Sequence, residues 1–185
     1  MKNDNLIIAV GGNLRNPEGE HPTKICDKAI DLLKGFKIFV NRQSNWYISD
    51  PIPISSQPKY FNKVITAKSS LNELEILNIL HSIEKKFGRI RTKINEPRMI
   101  DLDLIDCFGL ILNNDNIILP HPRAHLRRFV MEPLLEINPN WYHPIYKIKV
   151  SEILKNLSDQ NIQVFDKIIH WFFKFLMYKL PNFGD

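Results

Sequence analysis

Cysteine is scarce: Cys26 and Cys107 are the only two in 185 residues. They form no C-x-x-C pair and no disulfide framework, so a stapled secreted scaffold is excluded. No secretory leader is read at the start. Leu6 to Val10 is apolar but too short for an h-region, and no small-residue cleavage site follows it. A reducing cytoplasm is therefore the expected location. Long hydrophobic runs are also missing. The most apolar stretch, Ile168 to Tyr178, falls short of the ~20 residues a membrane span needs and carries Lys174, with Lys179 just beyond. Stable membrane insertion is not expected. Packing of that tail on the domain or on a second subunit is the first reading, and interfacial membrane contact the second. Repeats and low-complexity tracts are absent. Neither a G-x-G-x-x-G nor a Walker A loop occurs after the first apolar run. His121 and His125 have H-x-x-x-H spacing, but no Glu follows His121 and no third ligand is evident, so zinc is set aside.

What is there describes an ordinary globular chain, with 44% hydrophobic and 24% charged residues. The length suits one domain with its own core. A net charge of +5 suits an anionic ligand without separating a nucleotide from a nucleic acid.

The stretch that organises the rest is Glu96-Pro97-Arg98-Met99-Ile100-Asp101-Leu102-Asp103-Leu104-Ile105. Period two places Asp101 and Asp103 on one strand face and Ile100, Leu102 and Leu104 on the other. Two residues along a strand separate the carboxylates by roughly 6–7 Å. Bare charges at that distance repel by about 2.5 kcal/mol at an effective dielectric near 20. A hard cation removes the repulsion. Mg²⁺ fits, since it binds through one or two carboxylates and fills its shell with water and phosphate oxygens. The competing reading is a sheet edge whose Asp residues face water or pair with Lys.

Leu6 to Val10 reads as a buried strand ending in Gly11-Gly12-Asn13-Leu14, a turn that lets backbone N–H groups approach a ligand. A helix is predicted from Pro22 or Thr23 to Lys34, and a second strand from Phe36 to about Ile48. The segment from Ser49 to Lys59 holds Pro51, Pro53 and Pro58, which forbid helix and central strand, so a functional loop is expected. Strand three, Tyr60 to Ala67, puts Tyr60 and Asn62 on one face: an aromatic plate beside an amide. A second helix is predicted over Leu71 to Phe87, with Leu74, Leu77, Ile79, Leu80 and Ile83 as its core face and His81 and Glu84 on a neighbouring one. Arg89, Arg91, Lys93 and Arg98 crowd the loop leading to the Asp strand, and guanidinium forks suit phosphate oxygens. A hairpin about Asn113-Asn114-Asp115 and a cluster of His121, Arg123, His125, Arg127, Arg128 and Phe129 follow, then short helices over Glu132 to Pro139 and Ser151 to Leu157. The order β-α-β-β-α-β, with an extra hairpin and C-terminal helices, reads as an α+β ferredoxin-like sandwich. That fold alone assigns no chemistry.

The motifs resemble those of the 6-hydroxymethyl-7,8-dihydropterin pyrophosphokinase family of the folate pathway. They are Gly11-Gly12-Asn13-Leu14, Tyr60-Phe61-Asn62, Glu84 with Gly88-Arg89-Ile90-Arg91, Pro97-Arg98-Met99-Ile100-Asp101-Leu102-Asp103, and His121 to Phe129. The resemblance spans about residues 5 to 170. It implies pyrophosphate transfer from ATP to the pterin's hydroxymethyl group, with release of AMP. Asp101 and Asp103 would hold two Mg²⁺ ions. Arg89 and Arg98 would stabilise charge on the phosphates. Tyr60 and Phe129 would sandwich the pterin, Asn62 would read its edge, and backbone at Gly11, Ser49 and Ile52 would complete that pocket. ATP would fall to His121, Arg127, Arg91 and Leu104, with His81 and Glu84 on the nucleotide side. Loops 49–59 and 89–97 would close as lids. The family usually carries Arg-Trp-Gly-Pro-Arg where this chain has Ile94-Asn95-Glu96-Pro97-Arg98. The stacking Trp is thus missing and Glu96 adds a negative charge. The resemblance implies a pyrophosphokinase domain over residues 1–170 and an apolar tail over 171–185, acting as a monomer.

Two other function classes compete. Ferredoxin-like sheets with basic, aromatic faces bind single-stranded RNA, but no RNP1-like run occurs and carboxylates on the ligand face repel phosphate, so no nucleic-acid partner is expected. A two-metal phosphohydrolase would release phosphate without a pterin.

Overall fold

A computed structural model describes residues 6–89 and 96–165. Its centre is an antiparallel sheet of β1 (Leu6–Gly12), β2 (Phe39–Gln43), β3 (Tyr47–Ser49), β4 (Tyr60–Lys68), β5 (Asp101–Cys107) and β8 (Ile162–Val164). The order is β5-β1-β4-β3-β8, with β2 also pairing β4. Helices α1 (Pro22–Leu33) and α2 (Glu73–Lys86) cover one face, and α3 (Arg128–Ile137) and α4 (Val150–Lys155) the other. A small hairpin, β6 (Leu112–Asn113) with β7 (Ile118–Leu119), follows β5. This is the α+β, βαββαβ arrangement expected from the sequence.

Strand alternation builds the two cores. Leu6, Ile8 and Val10 of β1 point with Leu102 and Leu104 of β5 toward α1 and α2. Ile7 points with Val64 and Ile105 toward α3 and α4, against Val130, Met131 and Leu134. Period-two geometry therefore sets Asp101 and Asp103 on the Ile105 face, at the end of β5 that faces the start of α3.

Four elements differ from expectation, the first being α3, which starts at Arg128 rather than Glu132. The strand expected from Phe36 to Ile48 is a 3₁₀ turn (Lys34–Phe36) followed by β2 and β3. It breaks because the Asn45 N–H donates to the Glu136 carboxylate at 3.0 Å rather than to a strand partner. Trp46 then turns into the core. Helix α2 begins at Glu73, where Asn72 and Glu75 form a reciprocal capping box. Its buried face is Ile76, Leu80, Ile83 and Glu84; Leu77 and Ile79 are only partly covered and Leu74 is 39% exposed. Strand β8 has no counterpart in the sequence reading. The apolar tail lies outside the described residues, and among those described no helix is long and apolar enough to cross a membrane.

Gly12 lets β1 lie against the chain entering β5. A Cβ there would stand 2.3 Å from the Met99 carbonyl oxygen, so any side chain forces the backbones apart.

Candidate active site

Three strands meet at one level of the sheet. Gly11 pairs with Asn62 of β4 on one side and Asp101 of β5 on the other. With no side chain on β1, the amide and the carboxylate share an open floor. A Cβ at Gly11 would come within 3.1 Å of Asn62 Oδ1. This floor belongs to a cavity of about 380 Å³, an ordinary size for a small-molecule site. Gly11, Ser49, Ile52, Tyr60, Asn62, Arg98, Asp101, Asp103, Arg127 and Phe129 all line it. A second cavity of about 320 Å³ is lined by His81, Leu104, His121 and the hairpin residues 114–119. Asp103 lines both.

The carboxylates are held by cations. Asp101 Oδ2 takes Arg98 Nη2 at 2.8 Å, and its Oδ1 accepts from Arg89 Nη1. Asp103 has Arg127 Nη1 at 3.5 Å and His121 Nε2 at 4.0 Å. Burial, then the neighbouring Asp101 charge, pushes the Asp103 carboxyl up; His121, Arg127 and Arg98 pull the other way. Burial pushes the His121 imidazole down despite Asp103 beside it. Burial also raises the Tyr60 phenol and lowers the Arg127 guanidinium.

Glu84 and Arg89 line neither cavity. The Glu84 carboxylate is 2% exposed, accepts the Leu102 N–H at 2.8 Å, and accepts from Arg89 Nη1. It thus stands behind Asp101 as a fixed support, one helix turn from His81, which lines the smaller cavity. The reason is its helix position: Glu84 follows Ile76, Leu80 and Ile83 on the buried stripe. Arg91 lies outside the described residues.

The aromatic walls carry cations as well. Arg98 lies 5.6 Å from the Tyr60 ring centre and Arg127 5.5 Å from that of Phe129. The Tyr60 hydroxyl shares its one proton between Gln57 Oε1 at 3.0 Å and the Glu96 carbonyl at 3.2 Å, joining the two loops read as lids. Asn62 Nδ2 donates to Ser49 Oγ at 3.0 Å.

Asn13 is a structural organiser that the sequence reading did not single out. It is 5% exposed; its Oδ1 accepts the Arg98 N–H at 2.8 Å and its Nδ2 donates to the Pro58 carbonyl at 3.1 Å. One amide therefore fixes the β1 turn, the proline loop and the approach to the Asp strand. The available signal was its place directly after Gly11-Gly12, where a buried polar side chain must find partners.

The donor set suits a hard cation. Asp101 and Asp103 offer only carboxylate oxygens, and the described residues contain no cluster of three His, Cys, Asp or Glu. Such a pair fits Mg²⁺ whose remaining ligands come from water and phosphate.

Fold and site together define a ferredoxin-like α+β domain with paired carboxylates on one strand, one of which, Asp103, lines two cavities. The chain belongs to the 7,8-dihydro-6-hydroxymethylpterin-pyrophosphokinase family, whose profile matches residues 7–139. It is 32% identical over 155 residues to the 2-amino-4-hydroxy-6-hydroxymethyldihydropteridine pyrophosphokinase of Haemophilus influenzae, covering 84% of this chain and 94% of that one. The Synechocystis enzyme of the same name is 38% identical over 138 residues, covering 75% and 68%. A folic acid synthesis protein of Pneumocystis carinii is 31% identical over 191 residues, covering 99% of this chain and 25% of its own. The chain thus spans about a quarter of the length of that relative and of its Dictyostelium discoideum counterpart. A crystal structure of Plasmodium falciparum HPPK-DHPS with pteroate superposes with a TM-score of 0.65 at 10% identity, covering 82% of this chain and 44% of that one, a likeness of fold.

Proposed function

We propose that this chain transfers pyrophosphate from ATP to the hydroxymethyl group of 6-hydroxymethyl-7,8-dihydropterin, a step of tetrahydrofolate biosynthesis. The observation that carries the reading is the position of Asp103 on the boundary of both cavities. The larger cavity, with Tyr60, Phe129 and Asn62, takes the planar pterin. The smaller, with His81, Leu104 and His121, takes the nucleotide, and the reacting phosphates lie between them. Asp101 and Asp103 would hold two Mg²⁺ ions, which would supply charge neutralisation for the triphosphate and Lewis-acid polarisation of an oxygen. Arg98 and Arg127 exchange their carboxylate contacts for phosphate oxygens, and Arg89, held by Glu84 and Asp101, stabilises charge on the phosphates with Arg98. The pterin hydroxyl forms a bond to the β-phosphorus and gives up its proton to solvent, while the bond from that phosphorus to the α–β bridging oxygen breaks, expelling AMP. Loop 49–59 closes to keep water from that phosphorus; the second expected lid, 89–97, falls mostly on residues 90–95, outside the described residues. We assign the activity to residues 1–170, with 171–185 as an appended tail, in a cytoplasmic monomer that binds no nucleic acid.

The test is to incubate the chain with ATP, Mg²⁺ and 6-hydroxymethyl-7,8-dihydropterin and identify products by mass spectrometry. AMP and the pterin diphosphate in equal amounts, both dependent on Mg²⁺, are expected. ADP with a pterin monophosphate would mean attack at the γ-phosphorus, and inorganic phosphate without modified pterin would mean a phosphohydrolase; either overturns the proposal. A folded sample that turns nothing over and binds oligonucleotides with a steep salt dependence would replace it with the RNA-binding reading.

A further inference from the structure

Helix α3 begins without a cap of its own. Arg127 occupies the N-cap position and makes no side-chain bond to the helix start. The Arg128 N–H, one of the donors every helix leaves unpaired at its first turn, is taken instead by a residue far along the chain. Gln160 Oε1 accepts it at 2.8 Å, and Gln160 Nε2 donates to the Leu126 carbonyl at 2.8 Å. One amide thus closes on the two peptide groups flanking Arg127. Arg127 reaches Asp103, and Phe129 lines the larger cavity.

The segment after Gln160 ties down the opposite wall. Asn161 Nδ2 donates to Asp50 Oδ2 at 3.4 Å. Strand β8 then pairs with β3, setting Ile162 opposite Ser49. Residues 160–165 therefore run as a strap between the two sides of the cavity, beyond residues 7–139 that the family profile matches.

We propose that Gln160 is a positioning residue: it fixes the backbone on both sides of Arg127 and so holds Arg127 and Phe129 where the ligands of the two cavities meet them. This rests on the function proposed above. A side chain from outside the catalytic segments sets the geometry of that segment, and its loss costs ligand affinity rather than the fold.

The test compares wild type with Gln160→Ala and Gln160→Glu. Glu keeps an acceptor for the Arg128 N–H but cannot donate to the Leu126 carbonyl. Pterin and ATP binding are measured by calorimetry, steady-state constants for each substrate, unfolding midpoints by denaturant, and amide exchange at Arg128. In Gln160→Ala the pterin KM should rise about tenfold, short of the hundredfold loss a full ångström of misplacement brings. The unfolding midpoint should fall only slightly, as for the loss of one helix cap, and the Arg128 amide should exchange faster. Gln160→Glu should fall between the two. Unchanged KM values in Gln160→Ala overturn the inference alone. Turnover that falls only in step with the folded fraction assigns Gln160 to stability and overturns it as well. A wild-type chain that binds no pterin overturns the proposed function and this inference with it.

Discussion

Glu84 accepts the backbone N–H of Leu102 at 2.8 Å, anchoring a buried carboxylate of α2 to the strand residue between Asp101 and Asp103. The same oxygen accepts from Arg89, which also donates to Asp101. The support of the site is therefore a chain of alternating charges running inward from the cavity floor.

The first prediction follows from that chain. Removing one partner of a buried ion pair leaves the other uncompensated, at a cost of about 3–5 kcal/mol. Glu84→Leu should lose stability on this scale. Glu84→Gln, which still accepts from Leu102, should lose less and still lower kcat, because Arg89 loses its charged support. Urea unfolding with steady-state kinetics checks both; a Glu84→Leu variant as stable as wild type would mean the pair is a surface contact.

The second concerns the aromatic walls. If Phe129 stacks on a planar heterocycle, Phe129→Ala should weaken pterin binding by about 1–3 kcal/mol, the scale of base–aromatic stacking. ATP binding should hardly change, since Phe129 lines only the larger cavity. Calorimetry with each ligand separately decides it. Equal losses for both ligands would make Phe129 a packing residue.

These residues also show what was legible in the chain. Asp101 and Asp103 could be placed because strand period two is rigid, so their shared face follows from position alone. Tyr60 and Asn62 followed by the same rule. Glu84 could not, because a carboxylate on a helix reads as surface until the strand N–H that needs it is known. The break between β2 and β3 was hidden for a similar reason: the carboxylate that interrupts pairing at Asn45 belongs to Glu136, on a distant helix. Gln160 caps α3 from 32 residues away, a tertiary contact without a local signature.

The third prediction is a pH effect at the turn beside His125. His143 is 2% exposed, and its Nδ1 accepts the Ile145 N–H at 3.2 Å and the Tyr146 N–H at 3.3 Å. Protonating that nitrogen removes the acceptor of both N–H groups. Burial, then nearby His125, lowers its pKa to about 4. The unfolded chain keeps the ordinary His value near 6.5 and so binds more protons between those limits. The stabilisation from neutral His143 is complete above about pH 6.5 and lost as pH falls toward 4, by up to about 3 kcal/mol. His125, also lowered by burial, works in the same direction. In denaturant titrations His143→Gln should lose stability less steeply than wild type between pH 6.5 and 4. Parallel curves would show that His143 does not titrate in this range.

The last prediction returns to the carboxylates. Asp101 has an arginine on each oxygen, whereas Asp103 sits between the cavities with looser partners at 3.5 and 4.0 Å. The two Asn variants should therefore differ in stability while agreeing in activity. Asp101→Asn strips the charge that balances Arg89 and Arg98 and should destabilise the chain by about 3–5 kcal/mol. Asp103→Asn removes a carboxylate already raised by burial, so the folded state should tolerate it better. Both should lower kcat by at least about 10²–10³, the scale of losing one preorganised electrostatic group at a reacting centre. Neither should be rescued by raising Mg²⁺ to levels that saturate the wild type. Unfolding curves first establish that each variant is folded at the assay temperature, and Mg²⁺ titrations of turnover then follow. Wild-type turnover in a folded Asp103→Asn sample would remove the metal assignment, and with it the reason for placing the reacting phosphates between the two cavities.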